Sequence, residues 1–178
     1  MEHTDQKHRS LAKKTHELLM DMANTDSLTG LGNRRLFEQE YERMFNHAYR
    51  TGDTLHIILT DVDKLKQINT DFGRSYGDEA IKIVGKTLRK TFRDGDVATR
   101  WGGDDFVVLA LENQGVRPLV LHDIQDRINS GILNEDENQI FSGRLTATAS
   151  VITWNMTDTK DELFRKVDQA VTLKKKNE

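Results

Sequence analysis

The sequence contains no cysteine, which excludes a disulfide scaffold, a thiolate metal site and a cysteine nucleophile. One proline in 178 residues excludes a Pro-rich linker. No apolar run approaches the roughly 18 residues of a membrane-spanning helix, and the first residues are polar rather than signal-like. A cytoplasmic location without membrane contact is therefore expected. Neither sign of charge predominates: 26 basic side chains face 29 acidic ones, for a net charge of −3. Bulk attraction to nucleic acid is not expected from such a balance. What is present is a globular composition, 36% hydrophobic and 31% charged. At this length the chain holds one domain plus an appendage, and it buries about two-thirds of its unfolded surface without staples.

The appendage is Met1–Asn24, which lacks Gly and Pro and is dense in charge. Leu11, Thr15, Leu18 and Met22 follow a 4-3-4 spacing, a short heptad seam. The spacing predicts a helix ending near Asn24, either a solvated lead-in or the end of a stalk that pairs two chains. A Gly- and Asn-punctuated loop follows over Thr25–Asn33. Helices are predicted over Arg34–Tyr49, Ser75–Phe92, Val116–Ile132 and Asp161–Lys176 from apolar residues at helical spacing. Strands are predicted over Thr54–Asp61, Val97–Trp101, Phe106–Leu111 and Arg144–Trp154. Gly102-Gly103-Asp104-Asp105 joins the middle two as a hairpin with a Gly-Gly turn. Lys64 through Gly73 is read as a loop leading into the second of those helices. Residues 25–178 thus form one mixed domain of helices among largely antiparallel strands.

Two acidic clusters fall at strand ends, Asp61-Val62-Asp63 and Asp104-Asp105. If their strands are neighbours, three or four carboxylates converge at one edge of a sheet. Such hard oxygen donors suit Mg²⁺ completed by substrate phosphates, and they suit two-metal nucleotidyl transfer. Aspartate also favours strand ends and turns for conformational reasons alone. Lys64 and Lys66 place cations beside the proposed anion site. Asp78, early in its helix, favours the helix dipole, and a carboxylate there can also accept two hydrogen bonds from a guanine edge. Arg93-Asp-Gly-Asp96 reads locally as a helix end with Gly95 in the left-handed conformation.

Four fragments occur in order: Asp26-x-Leu-Thr-Gly-Leu-x-Asn-Arg-Arg35, Asp61-x-Asp-x-x-Lys-x-x-Asn69, Gly73-x-x-x-Gly-Asp78 and Arg100-x-Gly-Gly-Asp-Asp-Phe106. Together they resemble the GGDEF family, the bacterial diguanylate cyclases, over about Thr25 to Lys175. The resemblance implies an α+β fold, a central mainly antiparallel sheet flanked by helices, like the nucleotide-cyclase and polymerase-palm architecture, behind a helical stalk. It implies condensation of two GTP to cyclic di-GMP, with release of two pyrophosphates, across a homodimer that is weak or transient. Mg²⁺ or Mn²⁺, two per site, is implied at Asp61, the Val62 carbonyl, Asp104 and Asp105, with Asp104 and Asp105 as the catalytic acids. Asn69 and Asp78 match the guanine-reading pair, Lys66 and Lys175 the phosphate contacts, and Gly102 and Gly103 the floor under the nucleotide. Arg93 and Asp96 match an inhibitory cyclic di-GMP site, with Arg127 as the supporting arginine.

The sequence departs from the family pattern at several places. Asp105 stands where Glu is usual, shorter by one methylene, or about 1.5 Å. Leu65, Thr70, Arg74 and Ser150-Val151-Ile152 differ from the usual residues, and Val167–Lys175 has drifted from the usual closing helix. Retained ligands with a drifted frame fit a cyclase of low activity. They also fit a GTP or cyclic di-GMP binding module that acts through partners.

Overall fold

The computed structural model describes residues 14–15, 19–112, 121–154 and 156–174. A first helical segment, α1 (14–15 and 19–24), leads into β1 (Gly32–Asn33), α2 (Arg34–Thr51) and β2 (Thr54–Val62). Next come α3 (Leu65–Phe72), α4 (Arg74–Thr91), β3 (Val97–Gly102) and β4 (Asp105–Glu112). The described chain closes with α5 (Leu121–Glu135), β5 (Ala147–Thr153) and α6 (Lys160–Lys174). The strands form one sheet in the order β1-β3-β4-β2-β5. Every pairing is antiparallel except the short parallel contact of β1 with β3. This is the α+β architecture with a flanked central sheet that the sequence predicts.

Strand alternation divides the core into two layers. Ile58, Val62, Phe106, Val108 and Ala149 point to the face covered by α4 and α5. Leu55, Ile57, Leu59, Val107 and Leu109 point to the face covered by α2 and α6. Because β2 and β4 are buried on both faces, they read as near-continuous apolar runs instead of alternating ones. An aromatic group of Phe37, Tyr41, Phe45, Trp101, Trp154 and Phe164 fills the α2–α6 layer, with Phe37 edge-on to Trp101 at 5.0 Å between centroids. Arg34 stacks over the Trp101 ring at 4.4 Å and pairs with Asp168 of α6 at 3.1 Å. At the β5 edge the Gln125 carboxamide of α5 stands in for a missing strand. Its Nε2 donates to the Ala147 carbonyl at 2.7 Å, and its Oε1 accepts from the Ala149 N–H at 2.8 Å.

Three expectations need correction. Residues 65–72 are helix rather than loop, because Leu65 and Ile68 share an apolar face that packs on the α4–α5 layer. Lys64 makes the break from β2 with φ 57°. The two-residue β1 was not expected, and it exists through pairing with β3 rather than through its own Gly-Asn sequence. The β3–β4 turn consists of Gly103 and Asp104, since Gly102 already pairs with Asp105. Of the proposed stalk seam, Thr15 and Met22 lie in helical segments, whereas Leu11 and Leu18 lie outside the described residues. The first five residues predicted for the helix at 116–132 also lie outside them. No helix among the described residues is long and apolar enough to cross a membrane.

Candidate active site

The register of β2 against β4 sets Asp61 directly opposite Asp105. The Val62 N–H donates to the Asp104 carbonyl at 3.3 Å, which ties the hairpin turn to the end of β2. The ladder is irregular between Arg100 and Gly102, and Gly103 has φ 61°. A residue with a Cβ would be strained there by roughly 1–2 kcal/mol. These features gather the carboxylates of Asp61, Asp104 and Asp105, with oxygens within 4.8 Å of one another. Asp105 is 4% exposed, and the other two are half-buried. Among the described residues this is the single cluster of its kind. Three acids brought together in a partly desolvated corner repel one another unless a cation compensates them. An all-oxygen donor set fits Mg²⁺ or Mn²⁺.

The fourth acid of the two clusters does not join. Asp63 accepts hydrogen bonds from the hydroxyls of Thr146 (2.6 Å) and Thr148 (2.8 Å), and its N–H donates to the Thr146 carbonyl. β2 ends at Val62 and the chain turns through the left-handed Lys64, so Asp63 sits against the start of β5. Beside it lies a groove of about 700 Å³, lined by Asp61, Lys66, Thr70 and the two threonines among others. Lys66 is exposed on the first turn of α3 and shares this groove with Asp61.

Asn69 of α3 packs against α4 at a glycine. The Asn69 side chain lies where a Cβ on Gly77 would stand, so α3 and α4 approach closely only because residue 77 has none. Asp78 is the next residue, exposed in the second turn of α4. Lys175 lies outside the described residues.

Arg100 fixes the hairpin from below. Its guanidinium donates to the Gly103 carbonyl at 2.7 and 3.0 Å and to both oxygens of Asp26 at 3.3 Å. Burial raises the Asp26 pKa, but bonds from the Thr29 hydroxyl and N–H, together with Arg100, outweigh it and hold the carboxyl below its ordinary 3.8. No local pattern marks this pair, because 74 residues separate the two partners. The same loop seats α2, since the Asn33 side chain accepts from the Leu36 N–H and donates to the Ala23 carbonyl.

Arg93 and Asp96 face each other across a turn. Arg93 Nε donates to Asp96 Oδ1 at 3.3 Å, and the Asp96 N–H donates to the Arg93 carbonyl at 2.9 Å. Arg93 also donates to the Leu111 carbonyl. The helix ends at an extended Phe92, and Gly95 has no positive φ, so the predicted left-handed cap is absent. Arg93 and Asp96 line a cavity of about 290 Å³ with Arg89, Gly30 and Gly32. Arg127 is not in it. Its guanidinium donates to the Thr91 carbonyl, and it lines a separate groove between α4 and α5.

Comparison with known proteins gives a consistent result. The family described as "Diguanylate cyclase, GGDEF domain" matches residues 23–178. The diguanylate cyclase DgcP of Pseudomonas aeruginosa is 33% identical over 168 residues, which are 90% of this chain and 24% of that protein. The cyclic di-GMP phosphodiesterase NbdA of the same organism is 40% identical over 95 residues, 53% of this chain and 12% of that protein. This chain thus spans a quarter or less of the length of these relatives. Among solved structures, the coiled coil and GGDEF domain of DgcB from Caulobacter crescentus, in complex with c-di-GMP, superposes with a TM-score of 0.74. The identity is 19%, covering 97% of this chain and 91% of that one.

Proposed function

Because this chain belongs to the GGDEF family, we propose that it acts as a diguanylate cyclase, joining two GTP into cyclic di-GMP with loss of two pyrophosphates. The 3′-oxygen of each GTP attacks the α-phosphorus of the other. A new P–O bond forms as the bond to pyrophosphate breaks, and the hydroxyl proton leaves to a base. The observation that carries the reading is the convergence of Asp61, Asp104 and Asp105 within 4.8 Å at the end of two paired strands.

Those three carboxylates and the Val62 carbonyl would hold two divalent cations, Mg²⁺ or Mn²⁺, which when bound supply positive charge to the attacking and leaving oxygens. Lys66 faces the same groove and offers a cation to the phosphates. Asn69, which lies against Gly77, and Asp78, the next residue along α4, offer acceptors to the guanine edge. Adenine lacks the N1–H and N2–H donors that Asp78 accepts, so GTP is preferred to ATP. Each chain holds one GTP, so two chains must meet face to face. Arg93 and Asp96 form the product-binding site, and the chain works in the cytoplasm.

A second reading is favoured by Asp105 and by the match to a phosphodiesterase over half of the chain: a module that binds GTP or cyclic di-GMP without turnover. Incubation with GTP and either Mn²⁺ or Mg²⁺, followed by chromatography, separates the two. The cyclase reading expects cyclic di-GMP, with the larger yield in Mn²⁺, and none from Asp104→Ala. GTP binding without product from the parent protein, even when concentrated, establishes the module instead.

A further inference from the structure

Arg89 lies on α4 one turn before Arg93 and lines the same cavity. It is exposed, and it belongs to none of the four sequence fragments that resemble the family. Its guanidinium donates to the carbonyl of Gly30, in the turn that carries Asp26. The Gly30 N–H in turn donates to the Asp26 carbonyl at 2.8 Å. The Asp26 carboxylate receives Arg100, and Arg100 holds the Gly103 carbonyl beside Asp104. An unbroken run of hydrogen bonds therefore joins Arg89 to the catalytic hairpin through the Gly30 turn, which itself forms part of the cavity wall.

We infer that Arg89 couples occupancy of this cavity to the mobility of the hairpin that carries Asp104 and Asp105. The inference rests on the reading of the cavity as the cyclic di-GMP site. A guanidinium has five N–H donors, and the bond to Gly30 uses one. The others are available to a phosphate or to a guanine edge in the cavity, where bidentate pairing is strong. A ligand gripped by Arg89 and Arg93 thereby immobilises Arg89, and with it the Gly30 turn. The Asp26 carboxylate then presents Arg100 with a fixed partner, and the Gly103 carbonyl loses freedom. Coupling needs an element that both sites bias, and the turn around Gly30 is that element. β3 offers a competing route, since it runs from Val97 at the cavity to Gly102 at the hairpin.

Hydrogen exchange of peptides covering residues 100–106, with and without saturating cyclic di-GMP, tests the coupling in the full chain. Calorimetry gives the affinity alongside. In the parent, ligand slows exchange at the hairpin. Arg89→Gln weakens binding about tenfold, as expected for one charge-assisted hydrogen bond. At saturation, its hairpin exchange is the same with and without ligand. Arg89→Lys keeps the charge but cannot bridge ligand and Gly30 with a planar fork, so it recovers affinity without recovering the hairpin response. If the hairpin of Arg89→Gln still slows at saturation, β3 or direct contact of the ligand with the Gly30 turn carries the coupling and the inference is wrong, while the product-site reading stands. If the parent binds no cyclic di-GMP, that reading and the inference fall together.

Discussion

Asp105 is placed under two conflicting demands. It is buried opposite Asp61, where a small side chain packs well, yet the chemistry at that corner favours reach. Mg²⁺ requires near-octahedral geometry at roughly 2.0–2.1 Å, so a short carboxylate is a poor fit for it. Asp105→Glu should therefore raise the Mg²⁺-supported rate toward the Mn²⁺ rate, measured as cyclic di-GMP formed per minute. The extra methylene in a buried position should also cost about 1 kcal/mol of packing, read as a Tm lower by about 2–4 °C. An unchanged Mg²⁺ rate would show that reach does not limit this residue. Asp26 tests a different effect. Its carboxyl is held below 3.8 in the folded state, so its bonds contribute fully above the unfolded pKa. That contribution is lost as pH falls through the folded value. Asp26→Asn should lower Tm at pH 7 by about 2–4 °C, for a loss of about 1 kcal/mol, and the gap from the parent should close only as pH falls through the lowered folded-state pKa. A gap that persists once the folded-state carboxyl is itself protonated would assign the stabilisation to the shape of the side chain. The three converging acids were legible because each lies at the end of an apolar run or in a glycine-marked turn. The destination of Asp63 was not, because Thr146 and Thr148 are 83 and 85 residues away.

The α3–α4 corner shows how one residue serves two elements. Gly77 is a poor helix former inside α4, and replacing it with alanine gains about 1 kcal/mol of helix propensity. The new Cβ would take the space of the Asn69 side-chain oxygen, which would have to rotate away. Gly77→Ala should thus melt no lower than the parent yet bind GTP about tenfold more weakly, for the loss of one hydrogen bond to a base. Calorimetry with GTP in the absence of metal reads the affinity free of turnover. Unweakened binding would remove Asn69 from base recognition. The longer elements were legible from periodicity: α2, α4 and α6 carry apolar stripes, and β2 and β4 are apolar runs too short to be core helices. The helix that escaped, α3, has eight residues and only two partly buried apolar ones. Its helical state depends on packing against α4, and sequence alone carries little trace of that.

At the scale of the molecule, the proposed chemistry places half of the reactants on each of two chains. Bringing them together contributes a large share of the barrier reduction, so the rate per chain should rise with protein concentration until dimers saturate. A rate per chain that stays flat over a hundredfold dilution, with sizing showing monomer, would contradict the two-chain reaction. How the two chains meet is constrained by a small feature of the outer strand. Gln125 occupies the Ala147 carbonyl and the Ala149 N–H, and the opposite sheet edge is a strand of only two residues. The Ala147 and Ala149 groups are closed to a neighbouring strand, and a chain pairing along the start of β5 would first have to displace Gln125. Edge-to-edge growth into extended ribbons is thereby made costlier at the start of β5. A proposed reaction that joins two nucleotides held on separate chains gains from a sheet edge that discourages other pairings.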